Sequence, residues 1–136
     1  MMRIALCVCL AWSLPRAFGC DCVTPSVRQA KKGAEVVFRG TITDIRDGKV
    51  IFRVDRVWKG DVGLTFEMID FPEAAACLGF MDRWLRVGND LLVFAWRLHR
   101  YPNDNEYFTS ICTRTSTWNE ASDTLKKLGK WRPPKR

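Results

Sequence analysis

The sequence predicts a small, mainly β domain: five short strands closed into a barrel, one short helix before them, one after them, and disulfides as staples. Three observations predict it. Apolar and polar residues alternate with a period of two in several short runs between positions 35 and 111. Turn signals such as Asp47-Gly48 and Lys59-Gly60 separate those runs. Four cysteines, Cys20, Cys22, Cys77 and Cys112, follow a segment that reads as a secretory leader, so oxidised cysteines are expected.

The leader comes first. Arg3 supplies a positive start, Ile4 to Leu14 is an apolar run too short to span a bilayer, and Pro15 breaks it. Ala17-Phe18-Gly19 is a small-x-small cleavage site. Residues 1–19 are therefore expected to be removed, making Cys20 the first residue of a secreted, extracellular protein. A periplasmic protein, or one lipid-anchored at an acylated Cys20, is the weaker alternative, because Ala17 and Phe18 fit a lipoprotein signal poorly. No later apolar run is long enough to be a transmembrane segment. Cys7 and Cys9 leave with the leader. The four remaining cysteines allow two bridges in three connectivities. A bridge across the single residue Asp21 is strained, which favours Cys20 and Cys22 each reaching a distant part of the chain.

Residues 20–129 are expected to form one domain. Thr24-Pro25 reads as the cap and first residue of a helix that Gly33 stops, with Val27 and Ala30 facing inward. Glu35 to Ile45 and Val50 to Trp58 read as a hairpin about Asp47-Gly48. The alternation slips at Arg56, which predicts a bulge there. Leu64, Phe66 and Met68 alternate with Thr65, Glu67 and Ile69 in a third strand. Leu91 to Trp96 suits a buried strand, and Tyr107 to Ile111 makes the fifth. Thr117-Trp118-Asn119-Glu120 reads as a capping box, followed by Ala121, Leu125 and Leu128 at helical spacing, with Gly129 as the stop. Residues 130–136 read as a basic disordered tail. Five strands with a flanking helix suit the OB-fold, the commonest small five-stranded barrel.

Several anchors align in order with the N-terminal, netrin-module-like domain of the tissue inhibitors of metalloproteinases. They are the leading Cys20-x-Cys22-Val23, Val37-Phe38-x-Gly40, Trp58-Lys59-Gly60, Glu73-Ala74-Ala75-Ala76-Cys77, and Cys112 followed by Trp118-Asn119. The chain resembles that family from about Cys20 to Gly129. The resemblance implies an OB-like barrel with Cys20 bridged to Cys77 and Cys22 to Cys112. It also implies that the amine and carbonyl of Cys20 chelate the catalytic zinc of a partner metalloprotease, with Asp21 entering the pocket beside the metal. Val23, Ala74, Ala75 and Ala76 would flank that contact.

Elementary chemistry is compatible with such a role. A catalytic zinc keeps one position open, and a neutral amine can take it while the adjacent carbonyl completes a five-membered ring. An α-amino group with a pKa of about 7.7 to 8.0 sheds its proton readily. A terminus held by disulfides loses little freedom on binding. Three features depart from the family pattern. Asp21 stands where a small neutral or hydroxylated residue is usual, and an unpaired carboxylate in an apolar pocket costs several kcal/mol. The family's third disulfide in this domain has no counterpart, and neither does its cysteine-rich C-terminal subdomain. A second reading keeps the Cys-x-Cys as a purely structural staple of a secreted interaction module.

Other classes find little support. One histidine and no Cys-x-x-Cys argue against a structural zinc site. His99 beside Arg97 and Arg100 reads as a loop residue. Asp82, Asp104 and Glu106 lack a paired-carboxylate spacing, and no nucleophile motif or phosphate loop occurs, so the chain reads as a non-enzyme without a cofactor. Trp58, Trp84, Trp96 and Trp118 could stack on sugars, but core and rim packing is the simpler role. The formal charge is +7, and the chain stays basic after Arg3 and Arg16 leave with the leader. That charge suits anionic glycans or surfaces as partners. Export argues against nucleic acid, and a monomer is expected.

Overall fold

The computed structural model describes residues 19–71, 77–99, 102 and 104–136. Residues 1–18, all but the last residue of the expected 1–19 leader, and Ala74, Ala75 and Ala76 lie outside the described residues.

The first helix, α1 (Val27–Gly33), starts two residues later than expected. Its cap is Ser26, not Thr24: the Ser26 hydroxyl accepts from the Gln29 N–H, and the Gln29 side chain accepts from the Ser26 N–H. Ser-x-x-Gln is a complete capping box, and it outweighs the Pro25 signal. Val27 and Ala30 are buried as expected.

Strands β1 (Val36–Arg46) and β2 (Lys49–Lys59) form the expected hairpin. Asp47 and Gly48 both have positive φ, as a two-residue primed turn requires. Arg39 faces Arg56 while Gly40 faces Val54, so Asp55 is an extra residue on β2; this is the expected bulge. Strand β3 (Thr65–Ile69) follows on β2, and β4 (Asp90–Arg97) pairs antiparallel with the other edge of β1. Strand β5 (Tyr107–Phe108) adds to β4, giving the order β3-β2-β1-β4-β5. The Phe66 and Tyr107 rings, 4.9 Å apart, bring β3 and β5 together and nearly close the barrel. The short β6 (Ser116–Thr117) also pairs with β4.

Two apolar layers explain the long buried runs. Phe38, Ile42, Phe52, Met68, Leu91 and Val93 fill the barrel, whereas Val37, Leu92 and Phe94 point outward beneath the helices. Strand β4 is therefore buried on both faces, so its sequence reads as a continuous apolar run. The outer layer is closed by α1 and by α2 (Ser122–Leu128), through Ala30, Ala121 and Leu128. At Gly40 a Cβ would sit 3.1 Å from the Phe38 and Phe52 rings, so the barrel filling itself calls for glycine there.

Three C-terminal expectations need correction. The fifth strand stops at Phe108 rather than Ile111, because the hydroxyls of Thr109 and Ser110 take over the bonding. The expected capping box opens a 3-10 turn (Trp118–Glu120) instead of α2, and Thr117 supplies no side-chain cap there. Arg83, and after it the bond back to Thr117, hold the Glu120 carboxyl below its ordinary pKa. Residues 130–136 do not form a free tail. Arg132 and Val57 exchange both backbone hydrogen bonds, at 2.8 and 2.9 Å, and the Lys135 N–H donates to Val62. This segment covers the edge of β2 that lies beyond the reach of β3.

Candidate functional site

Residues 20–25 form a strap fixed at three points. Cys20 is bonded to Cys77 and Cys22 to Cys112, with Cα–Cα distances of 5.5 and 5.0 Å. The bridges span 57 and 90 residues, and loops of that length stabilise by roughly 4 kcal/mol each in the chain-entropy picture. Arg114 Nε donates to the Pro25 carbonyl at 2.8 Å and fixes the third point. Between them Asp21 is exposed, and Val23 is 91% exposed.

The platform beneath the strap is built from hydroxyls. The Ser110 hydroxyl donates to the Cys77 carbonyl, and the Ile111 N–H reaches the same carbonyl at 3.1 Å. Leu78 and Ser110 form an isolated bridge, and the Gly79 N–H donates to the Thr109 carbonyl. Thr109, fully buried, donates its hydroxyl to the Phe94 carbonyl at 2.8 Å. The Phe94 N–H donates to the Thr115 hydroxyl at 2.9 Å, and Thr113 Oγ1 donates to the Ser110 carbonyl and lies 3.0 Å from Thr115 Oγ1. Both half-cystines that hold the strap are thus referred back to the middle of β4. Sequence reasoning missed this platform. Its signal is the dense Ser/Thr content of residues 109–117, whose hydroxyls satisfy backbone groups where regular pairing stops.

The loop that carries Cys77 leaves β3 at Asp70. The Asp70 carboxylate accepts from the Phe80 N–H at 3.2 Å and so ties the loop's return to its start. Burial pushes its pKa up, and the nearby Asp82 charge adds to that. Gly79, with φ of 87°, lets the backbone pass: a Cβ there would lie 2.7 Å from Asp70 Oδ1.

The structure brings Cys20, Asp21, Cys22 and Val23 together with Cys77 and Cys112. It describes Phe71 and Cys77, the flanks of the segment that holds Ala74, Ala75 and Ala76, but not those three residues. Among the described residues no group of three His, Cys, Asp or Glu could hold a metal ion. His99 is exposed, with Nε2 3.0 Å from Glu35 Oε1. Burial raises the Glu35 pKa, but the His99 contact, the Arg97 N–H and the neighbouring positive charges together bring it below the ordinary value.

Trp58, Trp84, Trp96 and Trp118 pack rather than present faces. Trp84 lies in the barrel core, Trp58 Nε1 donates to Gly129 and Trp96 Nε1 to Gly33, each at a helix end. Arg39 stacks on Trp118 at 4.2 Å. The basic residues Arg28, Lys31, Lys32, Lys59 and Lys127 line a groove between α1 and α2. Two of them are engaged structurally: Lys59 Nζ donates to the Lys31 and Lys32 carbonyls, and Lys31 Nζ to the Leu128 carbonyl. No helix among the described residues is long and apolar enough to cross a membrane. Compared with models of known families and with curated proteins the chain finds no match, so the ordered anchors and the strap carry the functional reading by themselves.

Proposed function

We propose that this chain is a secreted inhibitor of zinc metalloendopeptidases, related to the tissue inhibitors of metalloproteinases, that binds the protease's catalytic zinc through the amine and carbonyl of Cys20. The observation that carries the reading is the placement of the two bridges. They hold Cys20 and Cys22, the first residues after a leader-like segment, and leave Asp21 between them bare to solvent. A terminus fixed in this way meets a metal without first being ordered. The zinc belongs to the partner, and this chain in turn catalyses nothing.

The chemistry needs a free α-amine. Mass spectrometry of the secreted protein is expected to find Cys20 at its N-terminus. One residue added before Cys20 converts the amine to an amide, a poor zinc ligand, and leaves the bridges and barrel untouched. Inhibition of a metalloprotease panel is expected to fall by orders of magnitude. A native protein that inhibits none at micromolar concentration, with binding unchanged by the extension, overturns the proposal. A second reading, a secreted interaction module with a structural Cys-x-Cys, is favoured by one observation: Asp21 puts a carboxylate where an apolar pocket would exclude it.

A further inference from the structure

We infer that Asp21 selects the partner: the strap is matched to zinc endopeptidases whose pocket beside the metal is cationic and which cleave on the N-terminal side of acidic residues. The inference rests on the inhibitor reading above and gives it a partner class. In a peptide substrate the carbonyl polarised by zinc belongs to the residue before the scissile bond. The side chain of the following residue then falls in the adjoining pocket. A strap that places the Cys20 carbonyl on the metal therefore places Asp21 in that pocket.

Three features fit a charged pocket. Asp21 is exposed, and among the described residues its carboxylate has no hydrogen-bond or ion-pair partner, so none must be broken on docking. Arg114, the cation bonded to the strap, gives its Nε–H to the Pro25 carbonyl instead. Both neighbours of Asp21 are held by disulfides, so the backbone cannot swing the carboxylate out of the pocket. Opposite an apolar wall the charge would be desolvated and unpaired, whereas opposite an Arg or Lys it gains a charge-assisted hydrogen bond. The same residue thus excludes one set of partners and admits another.

The test uses the full secreted chain with Cys20 confirmed as its N-terminus, and two zinc endopeptidases as probes. One cleaves before aspartate, the other before leucine. Inhibition constants are measured for the native protein, for Asp21→Asn and for Asp21→Leu; the site is exposed, so the fold tolerates both changes. The native chain is expected to prefer the aspartate-directed enzyme by on the order of a hundredfold, as loss of a buried charge pair commonly costs. Asp21→Asn is expected to erase most of that preference, and Asp21→Leu to reverse it. Equal inhibition of both enzymes by the native protein, unmoved by either substitution, overturns this inference and leaves the inhibitor reading standing. Inhibition of neither enzyme by any of the three proteins overturns both.

Discussion

The Ser110 hydroxyl donates to the Cys77 carbonyl at 2.6 Å and accepts from the Cys112 N–H at 3.1 Å. One side chain thus joins the two half-cystines that hold the strap. Their relative position is set by a hydrogen bond as well as by the disulfides, and Ser110 in turn sits on the threonine network anchored to Phe94.

Removing that hydroxyl leaves a carbonyl and an N–H without this partner in a half-buried site. Ser110→Ala is expected to lower stability by about 1–3 kcal/mol. Urea unfolding of the oxidised protein checks it. Both bridges are expected to survive, as non-reducing peptide mapping will show, so any loss of the proposed inhibition reports strap geometry rather than strap loss.

Asp70 makes stability depend on pH in a definite direction. Burial raises its folded pKa above the unfolded value. The unfolded chain therefore ionises first as pH rises, and stability falls between the ordinary aspartate pKa and the raised folded one. Asp70→Asn keeps an oxygen for the Phe80 N–H but carries no charge. Its stability is expected to match the native protein below that window and to exceed it above. Thermal melts from pH 3 to pH 8 decide the matter; a variant less stable at every pH contradicts it.

Glu35 works in the opposite sense. Its folded pKa is lowered, so its contribution is present above the unfolded value and lost as pH falls through the folded one. His99→Ala removes the Glu35 contact and is expected to move the acid-unfolding midpoint to higher pH. Circular dichroism during acid titration reads the shift.

Gly60 ends β2 with φ of 88°, and a Cβ there would approach the Glu35 carbonyl to 2.5 Å. Gly60→Ala must strain the backbone and displace that carbonyl. A loss of roughly 2 kcal/mol or more is expected in chemical denaturation.

The C-terminal segment is a load on the sheet edge, not a dispensable tail. Ending the chain after Lys130 deletes the Val57–Arg132 pair and the Lys135–Val62 bond. It also removes Trp131, which lies under Arg56. At about 1 kcal/mol for each hydrogen bond, a loss of roughly 2–4 kcal/mol is expected. The bared β2 edge should also raise aggregation, visible by light scattering.

The barrel was legible because its signals are local. Phe52 and Val54 alternate with Arg53 and Asp55, Asp47-Gly48 takes the positive φ it advertises, and the slip at Arg56 marks a real bulge. The bridges followed from the resemblance, since the cysteines alone left three connectivities. What stayed hidden depends on distant partners. The charge of residues 130–136 suggested solvation, but their backbone pairs with an edge of β2 that no composition reveals. Thr109 and Ser110 read as ordinary strand residues, because the Phe94 and Cys77 carbonyls that they serve are remote in sequence. Thr24-Pro25 looked like a helix start because proline suits a first turn; the reciprocal bonds of Ser26 and Gln29 decided the cap.

The strap also fixes an order of assembly. Of the four bridged cysteines Cys20 and Cys22 leave the ribosome first, yet their partners follow 57 and 90 residues later. Cys22 must wait for Cys112, which emerges only after β4 and β5. Until Cys77 emerges two neighbouring thiols travel unpaired, and Cys77 then arrives with a choice between them. A wrong first bridge is reversed only by thiolate exchange, which needs a free thiol nearby. The strap is thus made before the barrel and fixed after it. Correct pairing depends on the barrel forming before oxidation is complete, so an oxidant that outpaces β-sheet formation should trap the protein with its terminus tied in the wrong place.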